Sequence, residues 1–379
     1  MEKWKECTIS DIGTVVGGST PSTKVSENYH NGTIAWITPK DLSISHERYI
    51  EQGEKNITEL GLKSCSTTLL PQNTVLFSSR APIGYIAIAK NEVCTNQGFK
   101  NIIPNKNITP LFLYYLLKYN KDRIENMGSG TTFKEVSASV MNSIVIRIPE
   151  KIQIQQKIAK LLGSLDDKIE LNRQINTNLE QQAQAIFKEM FIQKKGKPVL
   201  LSDFCDFIKG KNPAVITSTY QTGAAFYLNI DSLTDIKQTY AIPKNFAMAN
   251  VKDILMVMDG ASSGTVYFGK EGIIGSTLAK IVVSDLSMQE VIYQTLKYFE
   301  NDVRSHTTGS AIPHVDKQYI LQLSVSLPDD YQLYSAYFET IRNMMIKNRT
   351  KNICLSTLRD TLLPKLMSGE IDVSKIEVD

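Results

Sequence analysis

Residues 150–191 read EKIQIQQKIAKLLGSLDDKIELNRQINTNLEQQAQAIFKEMF. The stretch has no proline and one glycine, Gly163. Apolar residues recur at Ile154, Ile158, Leu161, Leu165, Ile175, Leu179 and Ile186. Their steps of four and three are the heptad spacing of a helix that packs along another helix. Lys168, Asn172 and Gln182 fall in the same register; polar groups in such a seam cost stability but fix register and partner number. A helix of about 40 residues spans roughly 60 Å. That is too long for a packing element of one small domain, so the stretch reads as a strut that needs a partner helix.

The partner is in the same chain, because the sequence repeats. Tyr114 with Leu117-Lys118-Tyr119 matches Tyr293 with Leu296-Lys297-Tyr298 at an offset of 179, which also pairs Gly130 with Gly309, Val136 with Val315 and Pro149 with Pro328. The offset carries the heptad positions to Leu333, Tyr337, Met344, Cys354 and Leu358, and Lys168 to Lys347. Upstream, Ser10-Asp11, Gly18 and Pro21 match Ser202-Asp203, Gly210 and Pro213 at 192, while Gly84 and Lys100 match Gly264 and Lys280 at 180. The spacing therefore predicts an α+β chain of head, helix, head, helix: a first head over 1–149, a central helix over 150–193, a second head over 196–328, a C-terminal helix over 329–367 and a tail over 368–379. The two helices are expected to pair as an antiparallel coiled coil, with pseudo-twofold symmetry and the heads at opposite ends. Lys168 and Asn172 recur as Lys347 and Lys351, which predicts a centre that is splayed, solvated or occupied by a partner subunit rather than a dry seam.

Within the first head, Thr33–Ile37, Thr74–Phe77, Tyr85–Ala89 and Ser143–Pro149 read as strands. Residues 17–21 (GGSTP) read as a loop, and Leu111–Tyr119 as a short buried helix with Pro110 in its first turn. A chain of 379 residues accommodates two or three domains, and its net charge of +3 does not by itself argue for nucleic acid. The N-terminal MEKWKECTIS lacks the apolar core of a signal peptide, and no apolar run approaches the roughly 20 residues of a membrane span. Cys7, Cys65, Cys94, Cys205 and Cys354 are scattered without a C-x-x-C pair, as expected of small buried residues in a reducing cytoplasm. His30, His46, His306 and His314 show no metal-ligand spacing.

No catalytic motif survives inspection. Asp166-Asp167-Lys168 lies in mid-helix without a second acid on a strand, and its repeat counterpart is Met345-Ile346-Lys347; it reads as a solvated helix face rather than a nuclease centre. Gly264 to Glu271 scans as most of a phosphate-binding loop but ends in Glu instead of Ser or Thr, and its Val-Tyr-Phe is strand-like. Residues 128–131 (GSGT) lack the rest of a nucleotide fingerprint. Methyltransferase, α/β-hydrolase and zinc-protease motifs are absent.

The head loops are more informative. Ser19, Thr20, Lys24, Thr38, Lys40, Ser78, Ser79, Arg80, Asn96, Gln97, Lys100 and Lys134 place hydroxyls, amides and cations on predicted loops and strand ends. The second head offers Lys209, Lys211, Asn212, Asn229, Asp231, Ser262, Ser263, Ser276, Thr277, Lys280 and His314 at roughly corresponding places. Such groups suit base edges and phosphates: Arg and Lys with guanine, Asn and Gln with adenine, hydroxyls with either. An alternative is a coiled-coil scaffold whose heads bind protein or glycan ligands.

These features together resemble the specificity subunit of type I restriction–modification systems. The carrying residues are Ile148-Pro149, Gln155–Ala159, Leu165–Asn176, Leu179, Ala183, Ala185–Phe187 and Phe191 in the helix, with residues 17–21, Ile34–Ile37, Lys40–Leu42, Ser78–Gly84 and Thr95–Phe99 in the first head. The second head departs from the pattern, with Asp259-Gly260-Ala261 and Ser276-Thr277-Leu278-Ala279 where the first has Ser-Ser-Arg and Asn-Gln-Gly-Phe. The resemblance implies two target-recognition domains that each read one half of a bipartite double-stranded DNA site, with the helices as a ruler. It implies a cytoplasmic, non-catalytic chain. Its partners would be two modification subunits, which bind S-adenosylmethionine and methylate adenine, and two restriction subunits, which use ATP and magnesium.

Overall fold

The computed structural model describes residues 3–44, 47–80, 82–130, 134–234, 237–309 and 312–374; His46, Ala81, Thr131 and tail positions 375–379 lie outside them. The chain forms two compact units. The first is Met1–Leu171 with Lys351–Asp379, and the second is Asn172–Thr350. Each unit thus holds one head together with part of each long helix.

In the first unit a five-stranded sheet runs in the order Gly13–Gly17, Lys100–Pro104, Val75–Ser79, Ile83–Ala89, Tyr49–Ile50. A three-stranded sheet places Ile34–Ile37 between Lys55–Ile57 and Cys94–Thr95. Trp4–Thr8 pairs antiparallel with Val145–Pro149 at the foot of the head. Thr109 caps the helix Pro110–Tyr119, accepting from the Phe112 amide at 3.3 Å, and most of that helix is buried. The strand Val145–Pro149 starts two residues later than expected, because Ser137 caps a helix over Ala138–Ser143.

The second unit repeats this plan. Cys205–Lys209, Leu278–Val283, Ile254–Val257 and Val266–Tyr267 form one sheet, and Lys197–Leu200 pairs with Ser324–Leu327. The ladders keep an offset of 179: Val75 faces Ile102, and Ile254 faces Ile281. Gly17 opposite Lys100 therefore corresponds to Lys209 opposite Ala279. This corrects the match of Lys100 with Lys280, since a one-residue slip sends a strand side chain to the other face. Lys280 instead pairs with Asp253 at 2.8 Å.

The first long helix is α-helical over Ile152–Phe187 and closes in a π-helical turn, Lys188–Gln193. The second runs Tyr331–Met367, with Pro364 in its last turn. Within each unit the two helices pair antiparallel. In the first, Asp166 meets Arg359 while Asn352 donates to the Ile169 carbonyl. In the second, Asn176 donates to the Met345 carbonyl and Phe191 packs on Tyr334 and Phe338.

The expected seam holds in the first helix and fails in the second. Ile154, Ile158 and Leu165 are buried, and Leu161, Ile175, Leu179 and Ile186 are half-buried. Leu333, Tyr337, Met344, Cys354 and Leu358 are all exposed. Buried there instead are Ser335, Phe338, Ile341, Arg342 and Met345 in the second unit and Leu363, Leu366 and Met367 in the first. The reason lies in the first helix, whose buried stripe is wide because it packs on its head as well as on the other helix: Gln155, Ala159, Leu162 and Ile169 are buried beside the heptad positions. Ala159 and Leu162 map to Phe338 and Ile341, so in the second helix the stripe turns by about 100°, one residue's rotation.

Two further expectations change. Asp166 is not on a solvated face: its carboxylate accepts from Arg359 at 2.6 Å and from the Tyr115 hydroxyl at 2.6 Å. Burial opposes its ionisation, but Lys118, Arg359 and these hydrogen bonds outweigh burial and hold the carboxyl below the usual range. Asp167 is largely exposed and pairs with buried Arg48. The lysines predicted to force the centre open, Lys168, Lys347 and Lys351, point to solvent. The mid-helix seam is polar but closed: Asn348 donates to Asn176 at 2.9 Å in the second unit, and Asn352 to Ile169 at 3.1 Å in the first. The first described tail residues are also packed, with Val373 in the first unit's core.

Candidate nucleic-acid interface

In the first unit, strands Gly13–Gly17, Val75–Ser79, Ile34–Ile37 and Cys94–Thr95 all end, and Lys100–Pro104 begins, at one end of the head. Most of the predicted polar residues gather there. The Ser19 amide donates to the Thr95 carbonyl at 3.0 Å, and the Thr20 hydroxyl bonds the exposed Gln97 side chain. A Cβ on Gly18 would sit 2.1 Å from the Asn96 carbonyl oxygen, so only glycine lets these loops approach. Asn96 accepts from the Gly98 amide at 2.9 Å, which tightens the turn. The Ser79 amide donates to Gly98, and the Val136 amide to Ser79.

Several candidates serve this scaffold rather than face solvent. Ser78 and Ser79 are fully buried, and Ser78 accepts from the Tyr85 amide at 2.7 Å. Thr38 starts the helix Pro39–Ile44, its amide and hydroxyl both donating to Asp41. Lys40 forms an exposed pair with Glu54. Lys24, Gln97 and Lys134 are exposed. Arg80 is half-exposed and stands 3.9 Å from Glu135, whose other oxygen holds Lys100 at 3.0 Å. Glu135 was not among the predicted residues; a lone acid in a loop carries no sequence signal, and only the fold brings it between two cations.

The second unit rebuilds the same frame bond for bond. The Lys211 amide donates to Ile274, the Met258 amide to Thr277, and the Val315 amide to Met258, each at the position expected from the repeat. Gly210 repeats the close approach of Gly18, 2.2 Å from a carbonyl oxygen of Ile274. Asn212 accepts from the Ser276 amide at 2.9 Å, where the first unit joins Thr20 to Gln97. Asp259 and His314 form the bridge that Arg80 and Glu135 form in the first unit. The counterpart of Ser78-Ser79-Arg80 is therefore Val257-Met258-Asp259, not the Asp259–Ala261 stretch, and Ser276–Ala279 is likewise displaced by one from Asn96–Phe99. Ser262 and Ser263 are not the equivalents of Ser78 and Ser79; Ser263 is buried in the turn after Gly260. Asn229 caps the helix Ile230–Leu233, in whose first turn Asp231 lies. Lys209 and His314 hold the two oxygens of Asp259 at 2.9 and 2.7 Å. Burial pushes the Asp259 carboxyl up, but the bonds from His314 and Lys209 outweigh it and keep the group ionised below its ordinary value.

The result at each sheet end is a hydrogen-bonded backbone frame carrying exposed amides and cations and half-exposed hydroxyls, suited to hydrogen bonding with a polar, anionic partner. Among the described residues no three or more His, Cys, Asp and Glu side chains are grouped to hold a metal ion, and no helix is long and apolar enough to cross a membrane.

Comparison with known proteins accords with this layout. The family model described as the type I restriction modification DNA specificity domain matches residues 1–181 and again 194–353. The type I restriction enzyme MjaIX specificity subunit of Methanocaldococcus jannaschii is 32% identical, over 98% of this chain and 94% of its own length. The HindI specificity subunit of Haemophilus influenzae is 30% identical over 59% of this chain and 51% of its own length. The crystal structure of the type I restriction–modification S subunit from M. genitalium shares the fold, with a TM-score of 0.56 at 17% identity over 97% of this chain and 96% of that one. Two copies of a family domain on two matching heads, and a relative similar along nearly the whole length, place this chain in the family of type I restriction–modification DNA specificity subunits.

Proposed function

We propose that this chain is the sequence-reading subunit of a cytoplasmic type I restriction–modification complex, with each head reading one half of a bipartite double-stranded DNA site. The observation that carries the reading is the duplicated frame: the same backbone bonds at the same sheet end in both heads, dressed with different polar side chains. Two readers on one frame fit a site of two unlike halves. The paired helices then act as the spacer between them, as half-site spacing follows protein geometry in other DNA readers. The chain performs no chemistry in this account. Two modification subunits supply S-adenosylmethionine-dependent methylation, and two restriction subunits supply ATP- and magnesium-dependent cleavage. Exposed faces of the helices are their docking surface.

The test is the methylation motif made by this chain with its modification subunit, compared with a chimera in which residues 1–149 come from a relative of different specificity. The first half of the motif should change and the second should not. A motif unaltered by the exchange, or the absence of any bipartite motif, refutes the proposal.

A further inference from the structure

The two sheet ends share a frame but invert the charges placed on it. In the first unit the bridge pair is Arg80 and Glu135; at the equivalent positions of the second unit it is Asp259 and His314. The basic and the acidic side chain have changed sides. The lysine beside the pair has also moved, across one cross-strand pair: Gly17 faces Lys100 in the first unit, and Lys209 faces Ala279 in the second. Lys100 reaches Glu135 at 3.0 Å, and Lys209 reaches Asp259 at 2.9 Å. In both units a lysine from the same strand pair thus meets whichever member of the bridge is acidic. Four coordinated differences on a frame that otherwise matches are more than drift of a polar surface.

The groups left facing solvent differ accordingly. Arg80 stands beyond hydrogen-bonding distance from Glu135, at 3.9 Å, and its side chain keeps 35% of its exposure. Its planar donors are thus partly open to solvent beside a carboxylate that is 39% exposed. In the second unit Asp259 is largely covered, at 21%, while the His314 imidazole and the Lys209 ammonium are about half exposed. The first arrangement offers a bidentate donor next to an acceptor. In the major groove that matches guanine O6 and N7 beside the amino group of the paired cytosine. The second offers an ammonium donor and, apart from it, an imidazole, with the carboxylate covered.

We infer that Arg80–Glu135 and Asp259–His314 are the corresponding specificity-determining positions of the two heads, the first reading a G·C pair through donor and acceptor together, the second reading a different base pair through the Lys209 ammonium and the His314 imidazole with its carboxylate covered. The inference rests on the DNA-reading function proposed above and names the residues that make the halves unlike.

A transplant tests it. In the full chain with its modification subunit, Gly17→Lys, Arg80→Asp, Lys100→Ala and Glu135→His give the first head the second head's polarity. A side chain at Gly17 has room, since nothing lies within 4 Å of its Cβ position. Selection from randomised duplexes should then show the first half-site changed at one or two base pairs, with the second half and the spacer unaltered. Should that variant fail to fold, Arg80→Gln alone should lower discrimination at one G·C pair of the first half by roughly 5- to 150-fold, the range of one good bidentate contact. A first half unchanged in the folded transplant, or undiminished discrimination in Arg80→Gln, overturns the inference and leaves the DNA-reading function standing. Failure of the wild-type complex to select any bipartite site overturns both.

Discussion

Replacing Phe338 by alanine tests how the second long helix is seated. Phe338 is fully buried, its ring 6.1 Å from that of Phe191, which stacks in turn on Phe187 at 5.1 Å. Removing a ring from such a site costs about 3–5 kcal/mol, the transfer of the lost atoms plus the cavity left behind. Its neighbour Tyr337 holds the position that the heptad repeat assigns to the seam, yet it is 42% exposed. Tyr337→Ala should cost no more than about 1 kcal/mol. For a unit of this size 1 kcal/mol moves the melting temperature by about 2–4 °C. Phe338→Ala is therefore expected to lower it by about 6–20 °C, and Tyr337→Ala by about 4 °C at most. Far-UV circular dichroism follows the whole chain. Tryptophan fluorescence separates the units, because Trp4 and Trp36 both belong to the first. Equal losses for the two variants, or a larger loss for Tyr337→Ala, would show that the second helix keeps the first helix's register and that its seating is misassigned.

Asp166→Asn removes a carboxylate from between Arg359 and Tyr115 and should destabilise the first unit by about 3 kcal/mol, the low end for a broken buried pair because both partners keep some exposure. Since the folded state holds the Asp166 carboxyl below its ordinary value, its contribution is present above about pH 4 and is lost as pH falls through the folded pKa. The acid limb of stability against pH should flatten in Asp166→Asn, and an unchanged limb would remove Asp166 from the account. Lys24→Gln, Lys134→Gln and Lys211→Gln, made in the assembled complex, should each reduce the slope of log affinity against log salt by about 1 without altering the selected sequence; a changed sequence preference would move that lysine from phosphate to base contact. Asn176→Leu should leave the half-buried Asn348 amide without its acceptor, remove the added bond to the Met345 carbonyl and lower stability by about 1–3 kcal/mol, whereas a stabilised variant would mean that the polar mid-helix seam is incidental.

The architecture was legible because it rests on repetition and periodicity. Heptad spacing marked the first helix to within a few residues, and the offset of 179 located its partner. Burial in the second helix was not legible by that route. An offset transfers residue numbers, while the buried face depends on what else packs there; Phe338 and Ile341, at the positions of Ala159 and Leu162, are the large buried residues of the second helix's stripe. The sheet end was partly legible. Thr20, Arg80, Gln97, Lys209, Asn212 and His314 do gather at equivalent ends of the heads, because strand termini and glycine turns put them there. Ser78, Ser79, Thr38 and Asn229 did not declare their roles, since hydroxyls and amides serve caps and turns as readily as ligands. Glu135 and Asp259 lay hidden for the opposite reason. A polar, basic surface gives no reason to expect acids until the fold sets each between two basic side chains.

The central claim, that two heads read two half-sites held apart by paired helices, is tested most directly by lengthening both helices together. Seven residues inserted after Leu171 and seven after Thr350, where the chain passes between its units, keep the heptad register and add about 10 Å of helix. At 3.4 Å per base pair that is about 3 base pairs of spacer. Methylation motifs of the wild-type and lengthened chains, each with the modification subunit, should show both half-sites unchanged and the spacer longer by about 3 base pairs. A spacer of unaltered length with activity retained, or altered half-sites, would contradict the account.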